Sequence, residues 1–152
     1  MTDHEKYMMR AVRCAQKAEA LGEVPVGAVI VRDGKVIASG YNRRECDRDA
    51  LAHAEMTAIR RACKKLGGWR LIGCDLYVTL EPCPMCAGAI INARIEHVFI
   101  GARDPKAGSF GSVVDLSVEP YNHKPEIEFG VLGDVCSALL SDFFKKLRLK
   151  KK

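Results

Sequence analysis

Three soft metal donors and one carboxylate stand at short, fixed spacings in this chain. His53 is followed at two residues by Glu55, and about thirty residues later Pro82-Cys83-Pro84-Met85-Cys86 supplies two thiols one helical turn apart. One imidazole and two thiolates are the donor set that Zn²⁺ takes when its fourth position stays open to water. Two thiolates and a neutral imidazole cancel the charge of the dication, and zinc lowers the pKa of bound water toward about 7. A carboxylate that does not ligate the ion can then take that water's proton and hand it on. The spacing predicts one Zn²⁺ per subunit on His53, Cys83 and Cys86, with Glu55 as the proton shuttle of a hydrolytic reaction.

Two other chemistries use parts of this pattern. A redox Cys-x-x-C dithiol needs no upstream His-x-Glu, whereas zinc accounts for both motifs together. A closed structural zinc needs a fourth ligand, for which Cys63, Cys74 and His97 are the candidates, none with a second short-spaced partner.

The elements that must position these groups are legible around them. Pro84 at a first helical position marks a helix from Cys83 to about Ala93, with Cys83 as its N-cap and Cys86 one turn in. A second helix runs from residue 53 to 66, ended by Gly67-Gly68. His53 and Glu55 at i and i+2 diverge on a regular helix face, so both reach one ion only if the site lies over that helix's first turn. Two helix N-termini, which favour thiolates and other anions, are therefore expected to converge on the metal.

Elsewhere, Thr2 and Glu5 form a capping box for a helix to about Ala20. Val26–Val31 and Val36–Gly40 make a hairpin about Arg32-Asp33-Gly34-Lys35. Asp75–Leu80 and His97–Gly101 read as strands. A terminal helix carries Cys136, Leu139, Leu140, Phe143, Phe144 and Leu147 as one apolar stripe, with Lys145, Lys146, Arg148 and Lys150 to Lys152 crowding its end. This succession predicts a single α/β domain over residues 1–152, a three-layer α/β/α sandwich with a central mixed sheet.

With 48% hydrophobic and 28% charged residues, the composition is that of a globular domain. No apolar run is long enough to span a bilayer and the N-terminus lacks a basic region followed by an apolar one, so a cytoplasmic protein without membrane association is expected. Seven cysteines is an odd count for a disulfide framework; Cys14, Cys46, Cys63, Cys74 and Cys136 read as small buried apolar residues. The formal charge of +5 leans toward a polyanionic partner.

The order H-x-E…P-C-x-x-C is that of the zinc deaminases of nucleobases. Longer segments are more specific: Glu23-Val24-Pro25-Val26-Gly27, Gly40-Tyr41-Asn42-Arg43, Thr79-Leu80-Glu81-Pro82-Cys83-Pro84-Met85-Cys86, Gly101-Ala102-Arg103-Asp104, Asn122-His123 and Leu139-Leu140-Ser141-Asp142-Phe143-Phe144. Through these, essentially the whole chain resembles bacterial tRNA adenosine deaminases of the cytidine deaminase-like superfamily. The resemblance implies hydrolytic deamination of adenosine to inosine at the wobble position of a tRNA anticodon, by a homodimer with no nucleotide cofactor. It implies that Asn42 contacts the target nucleoside and that Asp104 and Lys106 meet the anticodon loop. Phe143, Phe144 and Arg148 would border the RNA, although core packing also explains at least one of the phenylalanines. The terminal lysines read equally as a solvated tail or as phosphate contacts, and the role of His123 is open. One departure is Asp49-Ala50-Leu51, where the family commonly has Asp-Pro-Thr, which is expected to loosen the approach to the helix at His53. A deaminase of free bases or nucleosides, and a zinc-stabilised RNA-binding module without activity, are the alternatives.

Overall fold

The computed structural model describes residues 1–151; Lys152, the last lysine of the basic run, lies outside the described residues. Helix α1 (Asp3–Ala20) opens on the expected capping box, with the Thr2 hydroxyl accepting from Glu5 N and the Glu5 carboxylate accepting from Thr2 N. Strands β1 (Gly27–Arg32) and β2 (Lys35–Tyr41) form the hairpin. Asp33 and Gly34 both adopt positive φ (51° and 74°), the mirror-image turn whose twist suits a two-residue hairpin. Helix α2 (Ala54–Leu66) ends at Gly67 in the left-handed conformation, φ 73°. Strand β3 (Cys74–Leu80), helix α3 (Pro84–Asn92) and strand β4 (His97–Ala102) follow as read from the sequence, and α4 (Gly133–Lys150) closes the chain.

Two elements were not legible: strand β5 (Glu126–Phe129) and a 3-10 turn (Leu116–Val118). The strand has four residues and takes its definition from pairing in parallel with β4. The sheet order is β2-β1-β3-β4-β5, with β1 antiparallel to both neighbours and β3, β4 and β5 parallel.

The period-two alternation of the strands sorts two cores. Ala28, Ile30, Leu76, Val78, Val98 and Ile100 face α2 and α3, whereas Val29, Val31, Tyr77 and Phe99 face α1 and α4. The buried face of α2 is Ala54, Glu55, Ala58, Ile59 and Ala62; Arg61 is exposed and donates to Ser39 O (2.9 Å). Three alanines on one stripe let α2 lie close on the sheet. The expected stripe of α4 is only partly used: Cys136 is buried, Leu139, Leu140 and Phe143 are half-buried, and Phe144 and Leu147 are exposed. The helix packs on β4 with its first turns and runs past the sheet, so periodicity continues where the core does not.

Of the scattered cysteines, Cys14, Cys74 and Cys136 are buried as expected, Cys63 is half-buried and Cys46 is exposed. Cys46 sits in a loop, where no apolar layer covers it. Ahead of His53 the Asp49 carboxylate accepts from Leu51 N (2.8 Å) and its carbonyl from Ala52 N (3.1 Å), which closes a turn where the family commonly has proline. His123 fastens the chain ahead of β5 by bonding to Ile95 O.

Close approach fixes the α1 face. A Cβ on Gly27 would overlap the Ala11 carbonyl and stand 2.8 Å from Cys14 Cβ. The substitution Gly27→Ala is expected to cost about 1–3 kcal/mol, seen as a lower urea midpoint with unchanged slope. At the opposite end of the sheet, His97 Nδ1 meets Asp75 (2.8 Å) and Nε2 meets Glu126 (3.2 Å), joining β3, β4 and β5. The bond to Asp75 raises the His97 pKa above its ordinary value, against the opposing effect of burial. This tie contributes fully below about pH 6.5 and fades as pH rises through the raised folded-state value. Half-exposed as it is, the tie contributes at most about 1 kcal/mol. The melting-temperature gap between the parent and His97→Gln is therefore expected to shrink as pH rises.

Candidate active site

The site forms where two helices begin. Cys83 is the N-cap of α3 with extended backbone (φ −72°, ψ 173°), and Pro84 follows in the first turn. His53 is the N-cap of α2 (φ −84°, ψ 154°), which places Glu55 in that helix's first turn. Neither cap side chain bonds its own helix backbone. Both are thereby directed to a common point. His53 Nδ1 lies 3.6 Å from Cys83 Sγ and 3.6 Å from Cys86 Sγ.

Those separations can be compared with a bound ion. Zinc bonds of about 2.3 Å to sulfur and about 2.05 Å to nitrogen at a tetrahedral angle put N and S about 3.6 Å apart. The two N–S separations thus match those of a tetrahedral metal site, Nδ1 is the imidazole nitrogen that faces the sulfurs, and the cluster is able to bind a metal ion. Cys63, Cys74 and His97 do not join it. Cys74 and His97 sit at the far ends of their strands, and Cys63 points its thiol toward Trp69 O.

Electrostatics agree with a cation at this point. The hydrogen bond from Cys86 and that from His53 outweigh burial and pull the Cys83 thiol down to about 4. Its bond to Cys83, with burial, pushes Cys86 well up, so the two sulfurs share one proton, which a bound dication would displace. The Cys83 thiolate raises the His53 imidazole. Glu55 is 4% exposed, and burial lifts its carboxyl to about 7. A group poised there can hold or release a proton in neutral solution.

A cleft of about 200 Å³ opens over the donors, lined by Asn42, Arg44, His53, Glu55, Cys83 and Asp104 among others. Drug-sized ligands take roughly 300–1,000 Å³, so this cleft suits a smaller group. Asn42 is held by Nδ2 donating to Val24 O (3.2 Å) and by Oδ1 accepting from Arg44 N (3.1 Å). Asp104 Oδ1 accepts from Lys106 N (3.0 Å) and Ala107 N (3.3 Å), and the Lys106 side chain is exposed beside the cleft. Phe143, Phe144 and Arg148 do not line this cleft. Phe143 instead lines a separate groove of about 380 Å³, between α4 and the end of α1, with Glu19, Gly22, Lys146 and Leu147.

Two buried carboxylates were not legible in the sequence: Glu81, which lines the cleft, and Glu23, which precedes the lining residue Val24. Glu23 (1% exposed) accepts from Glu45 N (3.1 Å) and Cys46 N (2.8 Å); these amides outweigh burial and lower its pKa. Glu81 (2% exposed) accepts from three amides and a hydroxyl of residues 104–112. The available signal was an acid beside apolar residues and a proline, in Glu23-Val24-Pro25 and Leu80-Glu81-Pro82.

The profile of the MafB19-like deaminase family matches residues 2–148. A tRNA-specific adenosine deaminase of Bacillus subtilis is 53% identical over 153 aligned positions, covering 100% of this chain and 95% of the relative. The chain belongs to the tRNA-specific adenosine deaminase family. A solved structure from studies of A-to-I editing by tRNA:A34 deaminases at the wobble position superposes with a TM-score of 0.86 at 46% identity, covering 89% of this chain and 99% of that one. A guanine deaminase structure from Bacillus subtilis superposes less well, with a TM-score of 0.64 at 37% identity over 80% of this chain and 88% of the other. The five-stranded mixed sheet between helical layers is the cytidine deaminase-like fold of these tRNA-specific deaminases.

Because all three donors are needed to complete the set, His53→Ala, Cys83→Ala and Cys86→Ala are each expected to lose bound metal on dialysis. Cys63→Ala is expected to keep it. Elemental analysis of the purified proteins checks both.

Proposed function

We propose that this chain hydrolyses adenosine to inosine at the wobble position of a tRNA anticodon, releasing ammonia, with one Zn²⁺ on His53, Cys83 and Cys86 of each subunit. The observation that carries the chemistry is the pair of 3.6 Å separations from His53 Nδ1 to the two sulfurs, with buried Glu55 beside them. When bound, the ion supplies a Lewis acid that makes water nucleophilic at neutral pH. Glu55 takes one proton from the attacking water and gives it to a ring nitrogen of the base, then takes the second from the newly attached hydroxyl and gives it to the amine as it leaves C6. Water thus supplies the oxygen gained, and the departing amino group leaves as ammonia. Asn42, fixed at both ends of its carboxamide, keeps one N–H and one oxygen lone pair for the nucleoside.

The substrate reading rests on whole-length identity to tRNA-specific relatives and on the form of the cleft. An enzyme acting on a base must receive it unstacked, and an anticodon loop presents such a base. Asp104 on the cleft wall and Lys106 beside it would meet the loop nucleotides. Phe143, Phe144 and Arg148 lie on α4, next to the α1 end that leads into Val24 at the cleft, and would border the RNA farther out. We further infer a single deaminase domain, since one continuous sheet carries both cores, working as a homodimer in the cytoplasm. No helix among the described residues is long and apolar enough to cross a membrane.

The guanine deaminase likeness supports a second reading, free-base deamination at the same donors. An anticodon stem-loop with adenosine at the wobble position, tested against free adenosine, cytidine and guanine, separates the two. Mass spectrometry is expected to show amine replaced by oxygen on the stem-loop; turnover of free compounds alone would reverse the assignment. Replacing Glu55 by Ala is expected to lower turnover by at least about a hundredfold while metal content and stem-loop binding persist.

A further inference from the structure

The cleft wall contributed by residues 104–112 has no regular secondary structure, and one buried carboxylate gathers it. Glu81 Oε1 accepts from Asp104 N (3.1 Å) and from the Ser112 hydroxyl; Oε2 accepts from Phe110 N (3.1 Å) and Ser112 N (3.1 Å). The backbone on either side of this carboxylate ties down the same segment. Glu81 N donates to Ala102 O (2.9 Å) and Pro82 O accepts from Ser109 N (2.9 Å). At Gly108 the segment passes so close that a Cβ would overlap the Glu81 carboxylate itself.

A buried carboxylate needs hydrogen-bond donors on its oxygens, and each donor withdrawn adds to the cost of burying it. The segment therefore has one arrangement that satisfies Glu81. That arrangement aims the Asp104 carboxylate at Lys106 N and Ala107 N and sets Asp104 and Ala107 on the cleft wall. A chain of bonds thus runs from Glu81 through Asp104 to the surface that receives substrate, without using the metal donors.

We propose that Glu81 is a positioning residue for substrate: its carboxylate fixes the 104–112 wall in its substrate-binding shape. Gly108 is the complementary requirement, because only a residue without a side chain lets the wall close on the carboxylate. The proposal rests on the deaminase reading for its substrate, and on the geometry alone for its effect on the wall.

Glu81→Gln tests it, since one carboxamide edge must face amide donors with a donor of its own. Amide exchange across 104–112, metal content, and kinetics on the stem-loop are measured on one preparation. The expected result is exchange in that segment faster by about tenfold or more, metal unchanged, KM raised about tenfold and kcat within about threefold of the parent. Gly108→Ala, which keeps Glu81 and displaces the wall from the other side, is expected to give the same pattern and serves if Glu81→Gln does not fold. Loss of metal, a fall in kcat at constant KM, or an unchanged KM in Gly108→Ala would overturn the proposal. An inactive parent would overturn the deaminase reading instead; the exchange measurement then decides on Glu81, and unchanged protection of 104–112 refutes it.

Discussion

Everything in this protein depends on two helices starting at one place. The N-termini of α2 and α3 bring an imidazole and two thiols together, with a buried carboxylate in the first turn of α2. Such a concentration of groups that carry or lose negative charge is unfavourable in an apolar interior. Unpaired amides at two helix starts offset part of that cost, and a dication held by the donors would offset more. The depressed Cys83 thiol and the raised Glu55 carboxyl are two consequences of one crowded site. The sheet makes the arrangement possible, because α3 follows directly from β3 while α2 crosses from the neighbouring hairpin onto the same face.

Around that point the cleft is built from loops, and loops need internal partners to hold a shape. Glu23 and Glu81 supply them from opposite sides, each buried and each collecting backbone amides of a segment that carries cleft residues. Glu23 holds the turn after Asn42 and Glu81 the stretch from Asp104. Both acids are spent on protein amides rather than on substrate. In an otherwise apolar setting they act as anchors whose geometry is set by hydrogen bonds instead of by packing.

The elements legible in the sequence were those whose signals are local. The Thr2–Glu5 capping box, the Asp33-Gly34 turn, Gly67 at the end of α2 and Pro84 at the start of α3 each state a backbone requirement within a few residues. Strand β5 was missed because four residues alternating between acid and apolar acquire a strand's definition only beside β4. The α4 stripe misled in the other direction, since helical periodicity says which side chains share a face but not whether anything covers it. Cys46 was read as buried for the same reason: residue type gives a tendency, and the loop it occupies overrides it.

The candidate metal donors and the candidate proton carrier were legible in the sequence alone, because the number and spacing of soft ligands constrain the ion before any fold is known. So were the order of the elements apart from β5 and the 3-10 turn, and the family. The tertiary structure decided that His53 and Glu55 reach one point from the first turn of a helix, that Nδ1 rather than Nε2 faces the sulfurs, and that Asp104 stands on the cleft while Phe144 does not. It alone revealed Glu23 and Glu81, whose partners lie 22 to 31 residues away along the chain. Spacing records what one element presents; which elements meet is set by the packing of the whole sheet and its two cores, and no short stretch of sequence contains it.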